Sequence, residues 1–317
     1  MVKTLQKEDR WLRETYVDWL IEAAAKDDRI VLVEADLSKA AGTPRFKEAY
    51  PDRLVNVGIA EANMVGVAAG MNAMGKIPFT HTFTAFATRR CCDQVTLSVA
   101  YAGLNVKLCG SDPGVTAELN GGTHMSMEDV AIMRNVPGMV IYEPVDSAQL
   151  KKMMPQILQH EGPVYIRLLR RNAIQIFEDT DEFTLGKGTM VCEGSDVTIV
   201  ASGIMVAEAI KAADALAAEG ISAEVINMHT IKPLDAEMLL KSAGKTRAVV
   251  TAENGSIING LGGAVCEVLS ENLPVPVKRV GVKDHFGEVG STAYLQEKYG
   301  LTDKEIVAAA KAVIAMK

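Results

Sequence analysis

The 317-residue chain reads as an α/β protein of two domains, each a parallel sheet flanked by helices. Short, continuously apolar runs alternate with longer segments of helical periodicity, as expected of parallel strands buried on both faces. A polar, Gly-containing stretch between Asn172 and Ser195, with Phe177-Glu178-Asp179-Thr180-Asp181-Glu182 inside it, interrupts the alternation. A fresh strand–helix series opens after it, so the domains are placed at 1–185 and 186–317.

In the first domain Leu12, Tyr16, Leu20 and Ala24 fall at helical spacing, and Ile30–Val33 reads as the first strand. Leu54–Val57 is a second strand, and Ile77–Thr80 starts a third. A helix is expected from about Ala85 to Tyr101. Val106–Leu108, Met139–Tyr142 and Val164–Ile166 continue the strands, with a helix near Ser147–Gln159. In the second domain the strands are Val197–Ala201, Ala223–Met228, Ala248–Thr251 and Val277–Val282. Thr302 and Glu305 stand at capping-box spacing before a last helix, Ile306–Ala315. Ligands of parallel α/β sheets sit beyond the carboxyl ends of the strands, here the loops at 34–45, 56–61, 80–90, 110–126 and 143–147.

The segment Gly58–Met71 is small or apolar apart from Glu61 and Asn63, and Gly58, Ala62, Gly66 and Gly70 share one helical stripe. Such a stripe admits a second backbone, which predicts a helix packed on another chain or domain. A lone Glu near its start is either a first-turn residue favoured by the helix dipole or a carboxylate held for chemistry.

Lys and Arg number 33 against 40 Asp and Glu, a net charge of −7, which argues against nucleic acid as the main partner. The five cysteines show no CxxC spacing, which points away from a disulfide framework or zinc site and toward a reduced setting. No window approaches the ~18 apolar residues of a membrane span, and the charged N-terminus lacks a signal core. A cytoplasmic protein without membrane contact is expected.

Beyond Glu61, Pro78-Phe79-Thr80-His81-Thr82-Phe83-Thr84-Ala85-Phe86 has the aromatic spacing seen in thiamine-diphosphate enzymes. Asn120-Gly121-Gly122-Thr123-His124, with Val136-Pro137-Gly138-Met139 after it, resembles the Gly-x-Thr-His and x-Pro-x-Met pattern of transketolases. The resemblance continues through Tyr165-Ile166-Arg167 and covers nearly the whole chain. It is similar to the C-terminal half of a transketolase, a pyrimidine-binding domain followed by a C-terminal domain. The family's diphosphate motif, Gly-Asp-Gly…Asn, is absent from this sequence. The resemblance therefore implies one subunit of a split transketolase, whose partner chain carries the diphosphate of thiamine diphosphate and most of the Mg²⁺ contacts. An α2β2 heterotetramer acting on sugar phosphates is the implied assembly.

By this resemblance Glu61 is the carboxyl group that hydrogen-bonds the cofactor's aminopyrimidine, and Phe86 and Phe83 stack on that ring. Asp36 lies on the cofactor side, and His124 is the substrate histidine that exchanges protons. Asn120 stands where sugar-phosphate transketolases have Asp, and His81 where they often have a small hydroxyl residue. Arg13 and Arg170 correspond to the arginines that hold the substrate's terminal phosphate, a task for bidentate forks. Ser111 is the nearest residue to the family's phosphate-binding His, so another terminal anion, such as a sulfonate, is also compatible. Arg89, Arg90 and Arg171 are extra cations that read equally as solvated surface charges. Glu253-Asn254-Gly255 and Asp284-His285-Phe286-Gly287 are candidate interface loops, and Cys91-Cys92 reads as helix packing. The rival readings are the beta subunit of a 2-oxo-acid dehydrogenase and a non-catalytic partner-binding paralogue.

Overall fold

A computed structural model describes residues 5–317. The first half contributes strands β1 (Gln6–Lys7), β2 (Ile30–Glu34), β3 (Leu54–Asn56), β4 (Ile77–Phe83), β5 (Lys107–Ser111), β6 (Val140–Tyr142), β7 (Val164–Leu168) and β8 (Ile174–Gln175). The second contributes β9 (Thr189–Cys192), β10 (Val197–Ala201), β11 (Ala223–Asn227), β12 (Thr230–Lys232), β13 (Val249–Ser256) and β14 (Val277–Val282). Two large sheets result, ordered β12-β6-β7-β5-β4-β2-β3 and β14-β13-β10-β11-β9, with β1 and β8 forming a small antiparallel pair. Strands β2, β4, β5 and β7 are buried along their whole length, which is why they read as unbroken apolar runs.

Each large sheet is parallel except at one edge. Strand β9 runs antiparallel to β11, and β12 runs antiparallel to β6. Strand β12 comes from the second half of the chain yet completes the first sheet, a crossing that the strand–helix alternation does not reveal. The largest apolar cluster follows the same crossing, running from Leu12, Tyr16 and Phe79 to Val197, Ile199 and Ile306.

Helix Leu12–Lys26 buries Leu12, Tyr16, Val17, Leu20 and Ala24, the expected face. Fully burying one such aliphatic side chain stabilises by about 1.5–3 kcal/mol. Helices Ser147–Gln159 and Asp303–Ile314 also lie where the pattern placed them. Thr302 and Glu305 meet through their side chains rather than through the backbone N–H groups of a capping box. The continuous helix expected over Ala85–Tyr101 does not form. A short turn of helix, Thr84–Ala87, ends at Thr88, whose backbone leaves the helical region. The Thr88 hydroxyl donates to the Thr84 carbonyl, a local bond that competes with the helical ladder. A 3-10 turn at Arg89–Cys91 follows, then a wide π-helical stretch, Val95–Tyr101. The break turns Arg90 back toward the start of helix Glu61–Ala73.

The two halves meet around Arg167. Its Nε lies 2.6 Å from Asp129 Oδ2 and its Nη1 2.6 Å from Glu143 Oε1, while Nη2 donates to the Asn254 carbonyl at 2.6 Å. Ser202 donates to the other Glu143 oxygen at 2.7 Å. All of these side chains are buried, so every charge in the group is desolvated and must be paired. Asn254 also holds the loop after β5, accepting from Val115 N and donating to the Pro113 carbonyl. A Cβ at Gly114 would lie 2.3 Å from Asn254 Oδ1, so only glycine fits that turn. Glu253, Asn254 and Gly255, expected in a loop, lie at the end of β13 and work between the two halves of this chain.

Among the described residues no helix is long and apolar enough to cross a membrane.

Candidate functional site

The carboxyl ends of β2, β4, β5 and β7 gather most of the candidate residues. Glu61 is the first residue of helix Glu61–Ala73 and is 3% exposed. Burial of an ionised carboxylate requires a partner. Arg90 supplies it, with Nη1 2.9 Å from Oε1, and lays its guanidinium over the Phe86 ring at 3.8 Å from the centroid. A flat nitrogen-rich cation is therefore sandwiched between a carboxylate and an aromatic face. A protonatable aminopyrimidine would make the same two contacts, one to the carboxylate and one to the ring. The residues present fit the pyrimidine of thiamine diphosphate.

Phe83 and Phe86 are both buried, 6.1 Å apart and mutually tilted, at the end of β4 and in the short helix after it. His124 stands edge-on to both, at 6.0 and 5.1 Å. Its Nδ1 is 2.9 Å from the Thr123 hydroxyl, which leaves Nε2 available to another partner. The His124 loop is braced from below by Arg89, which pairs with Glu128 at 2.7 Å and donates to the Thr123 carbonyl at 3.2 Å. It is also pressed by the second half of the chain: a Cβ at Gly122 would lie 2.2 Å from the Gly287 carbonyl oxygen. The Asp284–Gly287 loop packs here while Phe286 projects into solvent.

Arg170 lies on the far side of Phe83, its guanidinium 5.5 Å from that ring. With Arg13, Trp11, Asp36, Leu37, Lys39 and Ala40 it lines an open cleft of about 410 Å³. Arg13 stacks on Trp11 at 4.3 Å and donates to the Ala40 carbonyl. Burial, and then the neighbouring Arg170 charge, lower the Arg13 guanidinium from its ordinary value. Two like charges share this cleft, an arrangement that invites an anion.

His81 lies on β4, fully buried, edge-on to Tyr16 at 5.6 Å, with neither ring nitrogen hydrogen-bonded. Burial, followed by the charges of Arg13 and Arg170, pushes it down to about 3, so it is neutral near pH 7. Ser111 turns into the sheet and donates to the Thr82 carbonyl at 3.3 Å. Its neighbour Asp112 meets Arg170 instead, at 2.8 Å. Asp36 is exposed on the cleft rim, with its backbone N–H bound to Asn56 Oδ1. Asn120 is exposed two residues before the Gly-Thr-His turn, and none of its contacts ties it to the other site residues. Among the described residues no group of three or more His, Cys, Asp or Glu is disposed to hold a metal.

Sequence reasoning left Arg90, Arg89 and Asp112 without roles. No motif distinguishes Arg90 from a surface arginine; only the break at Thr88 brings it to Glu61. Cys91, by contrast, packs as expected, its thiol against the Phe86 and Ala87 carbonyls.

Glu61, Arg90, Phe86, His124, Phe83 and Arg170 thus follow one another in contact, from a pocket that could seat a ring to a cleft that could seat an anion. A series of that kind suits an α/β protein that holds a planar ring beside a charged ligand. Residues 10–175 match the pyrimidine-binding domain of transketolase, and residues 186–306 match the transketolase C-terminal domain. The chain belongs to the transketolase family, which depends on thiamine diphosphate. It is 68% identical over 310 residues to the 6-deoxy-6-sulfo-D-fructose transketolase subunit SqwH of Clostridium sp. (strain MSTE9), covering 98% of this chain and 96% of that one. It is 42% identical to a putative transketolase C-terminal section of Methanocaldococcus jannaschii, covering 93% of each. A solved split-gene transketolase, described as an inactive beta4 tetramer, superposes with a TM-score of 0.89 at 46% identity, over 97% of this chain and 99% of that one.

Proposed function

We propose that the chain is the C-terminal subunit of a split thiamine-diphosphate-dependent transketolase, with the pyrimidine-binding domain at 1–185 and the C-terminal domain at 186–317. The assembled enzyme moves a two-carbon ketol unit from a ketose with a terminal anion to an aldose phosphate. The donor we favour is 6-deoxy-6-sulfofructose, because the 68%-identical relative bears that name and is matched over nearly its whole length. The observation that carries the reading is the buried Glu61 facing Phe86 across a planar cation.

The cofactor, when bound, supplies the carbon nucleophile and the electron sink for breaking the ketose C2–C3 bond. Glu61 holds the pyrimidine nitrogen by a hydrogen bond that the dry pocket strengthens. Phe86 and Phe83 fix the ring by stacking, a contribution of about 0.5–1.5 kcal/mol each beyond area burial. His124, with Nδ1 tied to Thr123, presents Nε2 to exchange a proton with the substrate's reacting oxygen. Arg13 and Arg170 hold the terminal anion, and Ser111 and neutral His81 support that end from the sheet. Asn120 serves the sugar hydroxyls with an uncharged amide, and Asp36 supports the cofactor side.

The partner chain carries the diphosphate and Mg²⁺. Its docking face is read from the exposed side of helix Glu61–Ala73, where Gly66 and Gly70 have nothing within 4 Å of a built Cβ. Ile59, Met74, Leu97 and Tyr101 are exposed apolar residues, from 55% to 88% accessible, on and near the same segments. Apolar exposure of this kind marks a contact surface. Two copies of each chain would then form an α2β2 heterotetramer in the cytoplasm.

The test is reconstitution with the N-terminal transketolase chain from the same genome, followed by assay of ketol transfer with sulfonated and phosphorylated ketoses. Transfer that requires both chains and thiamine diphosphate is expected. Decarboxylation of a 2-oxo acid in its place, or no cofactor bound by the complex, would refute the reading.

A further inference from the structure

Asp112 is an unexpected neighbour for an anion seat. It is fully buried, it follows β5, and its Oδ2 lies 2.8 Å from Arg170 Nη2. The contact is an ion pair outside hydrogen-bond geometry, and neither carboxylate oxygen accepts a hydrogen bond among the described residues. Its backbone sits in the left-handed region, with φ of 57°, which is uncommon for a residue other than glycine. The strain is sustained by the Asn254 clamp on the following turn and by Asp112 N–H donating to the Leu168 carbonyl. The chain thus holds a carboxylate beside the two guanidiniums that face the cleft.

The charges around that cleft can be summed by pairs. Arg13 and Arg170 contribute two positive charges and Asp112 one negative. Arg171 is offset by Glu118 at 2.6 Å, and on the rim Lys39 and Asp36 carry opposite charges that cancel in the sum. His81 is neutral, as its burial dictates. One positive charge remains for the ligand. A sulfonate carries a single negative charge wherever the protein is folded, whereas a phosphate monoester, with a second pKa of about 6, carries nearly two at mildly alkaline pH. The second charge would lie on the Arg170 side of the cleft, next to the buried Asp112 carboxylate, whose own desolvation limits the screening between them.

We propose that Asp112 sets the charge selectivity of this cleft, admitting a terminal group with one negative charge and penalising one with two. The inference rests on the reading of the Arg13–Arg170 cleft as the seat of the donor's terminal anion, and deepens it. Burial raises the Asp112 carboxyl to about 6, against the pull of Arg170 and Arg171, so above that pH it is charged and the discrimination is complete. Asp112 is a specificity residue; the arginines do the binding.

The experiment is isothermal titration of the purified native assembly with 6-deoxy-6-sulfofructose and with fructose 6-phosphate at about pH 8. The native protein is expected to bind the sulfonate at least ~10-fold more tightly, and Asp112→Asn to bring the two within ~3-fold, chiefly by gaining affinity for phosphate. Asparagine is suited to the left-handed backbone here, and Asp112→Gly gives a second variant fitted to the same φ. Only the phosphate carries an ester oxygen, but that difference is the same for the native protein and each variant, so the change in ratio between proteins reports charge. Equal native affinities, or a ratio unchanged in a folded variant, overturn the proposal. Binding of neither ketose also overturns it, but by removing the anion seat itself, a failure distinct from loss of discrimination.

Discussion

Arg90 occupies the gap between Glu61 and Phe86, 2.9 Å from the carboxylate and 3.8 Å above the ring. A pyrimidine held by the same two residues must displace it. The arginine is half-exposed, so it can swing to solvent, and the buried carboxylate then keeps a partner because the ring takes the arginine's place.

Replacing Arg90 with Ala removes this competitor. Thiamine diphosphate should then bind the assembled enzyme up to ~10-fold more tightly, on the scale of a half-exposed ion pair and a cation–π contact of about 0.5–1 kcal/mol each. Cofactor titration by tryptophan fluorescence or calorimetry checks this, and weaker binding would mean that Arg90 instead helps to hold the ring.

Glu61→Gln should leave assembly with the partner chain intact while lowering turnover by ~10²-fold or more, the usual scale for a lost acid–base group. Native mass measurement and a ketol-transfer assay on the same preparation separate the two effects. Normal turnover would return Glu61 to a helix-dipole role.

Arg167→Met should destabilise the chain by about 3–5 kcal/mol, because Asp129 and Glu143 would be left buried without their counter-charge. Chemical denaturation is the measurement. Asp129→Asn and Glu143→Gln introduced together with Arg167→Met should recover much of the loss, since the charges then leave the interior as a set.

His81 gives the chain an acid sensitivity whose sign is fixed. Its folded value, about 3, lies below the ordinary value of 6.5, so its unfolded form binds more protons. The stability it contributes is fully present above about pH 6.5 and is lost as pH falls toward 3. Denaturation midpoints measured across that range should fall less steeply for His81→Asn than for the native chain. Direct NMR titration should find the native imidazole still neutral at pH 5.

The parts of this protein that sequence alone determined are those set by local periodicity and local chemistry. Buried strands such as Ile30–Glu34 and Val197–Ala201 read as nearly continuous apolar runs, and the helix at Ser147–Gln159 announces itself by its repeat. Glu61 and His124 stood out as candidates because a carboxylate in an apolar helix and a histidine in a Gly-flanked loop are poor structural choices, and the family resemblance supplied their roles. What only the tertiary structure decided are relationships between residues far apart in the chain. Strand β12 joins the first sheet across the domain connection because an edge strand can pair with any neighbour that leaves its backbone unpaired. The broken helix at Thr88 delivers Arg90 to Glu61, and a left-handed turn held by Asn254 delivers Asp112 to Arg170. Charge pairing depends on distance in space, and no spacing along the chain encodes which arginine will meet which carboxylate.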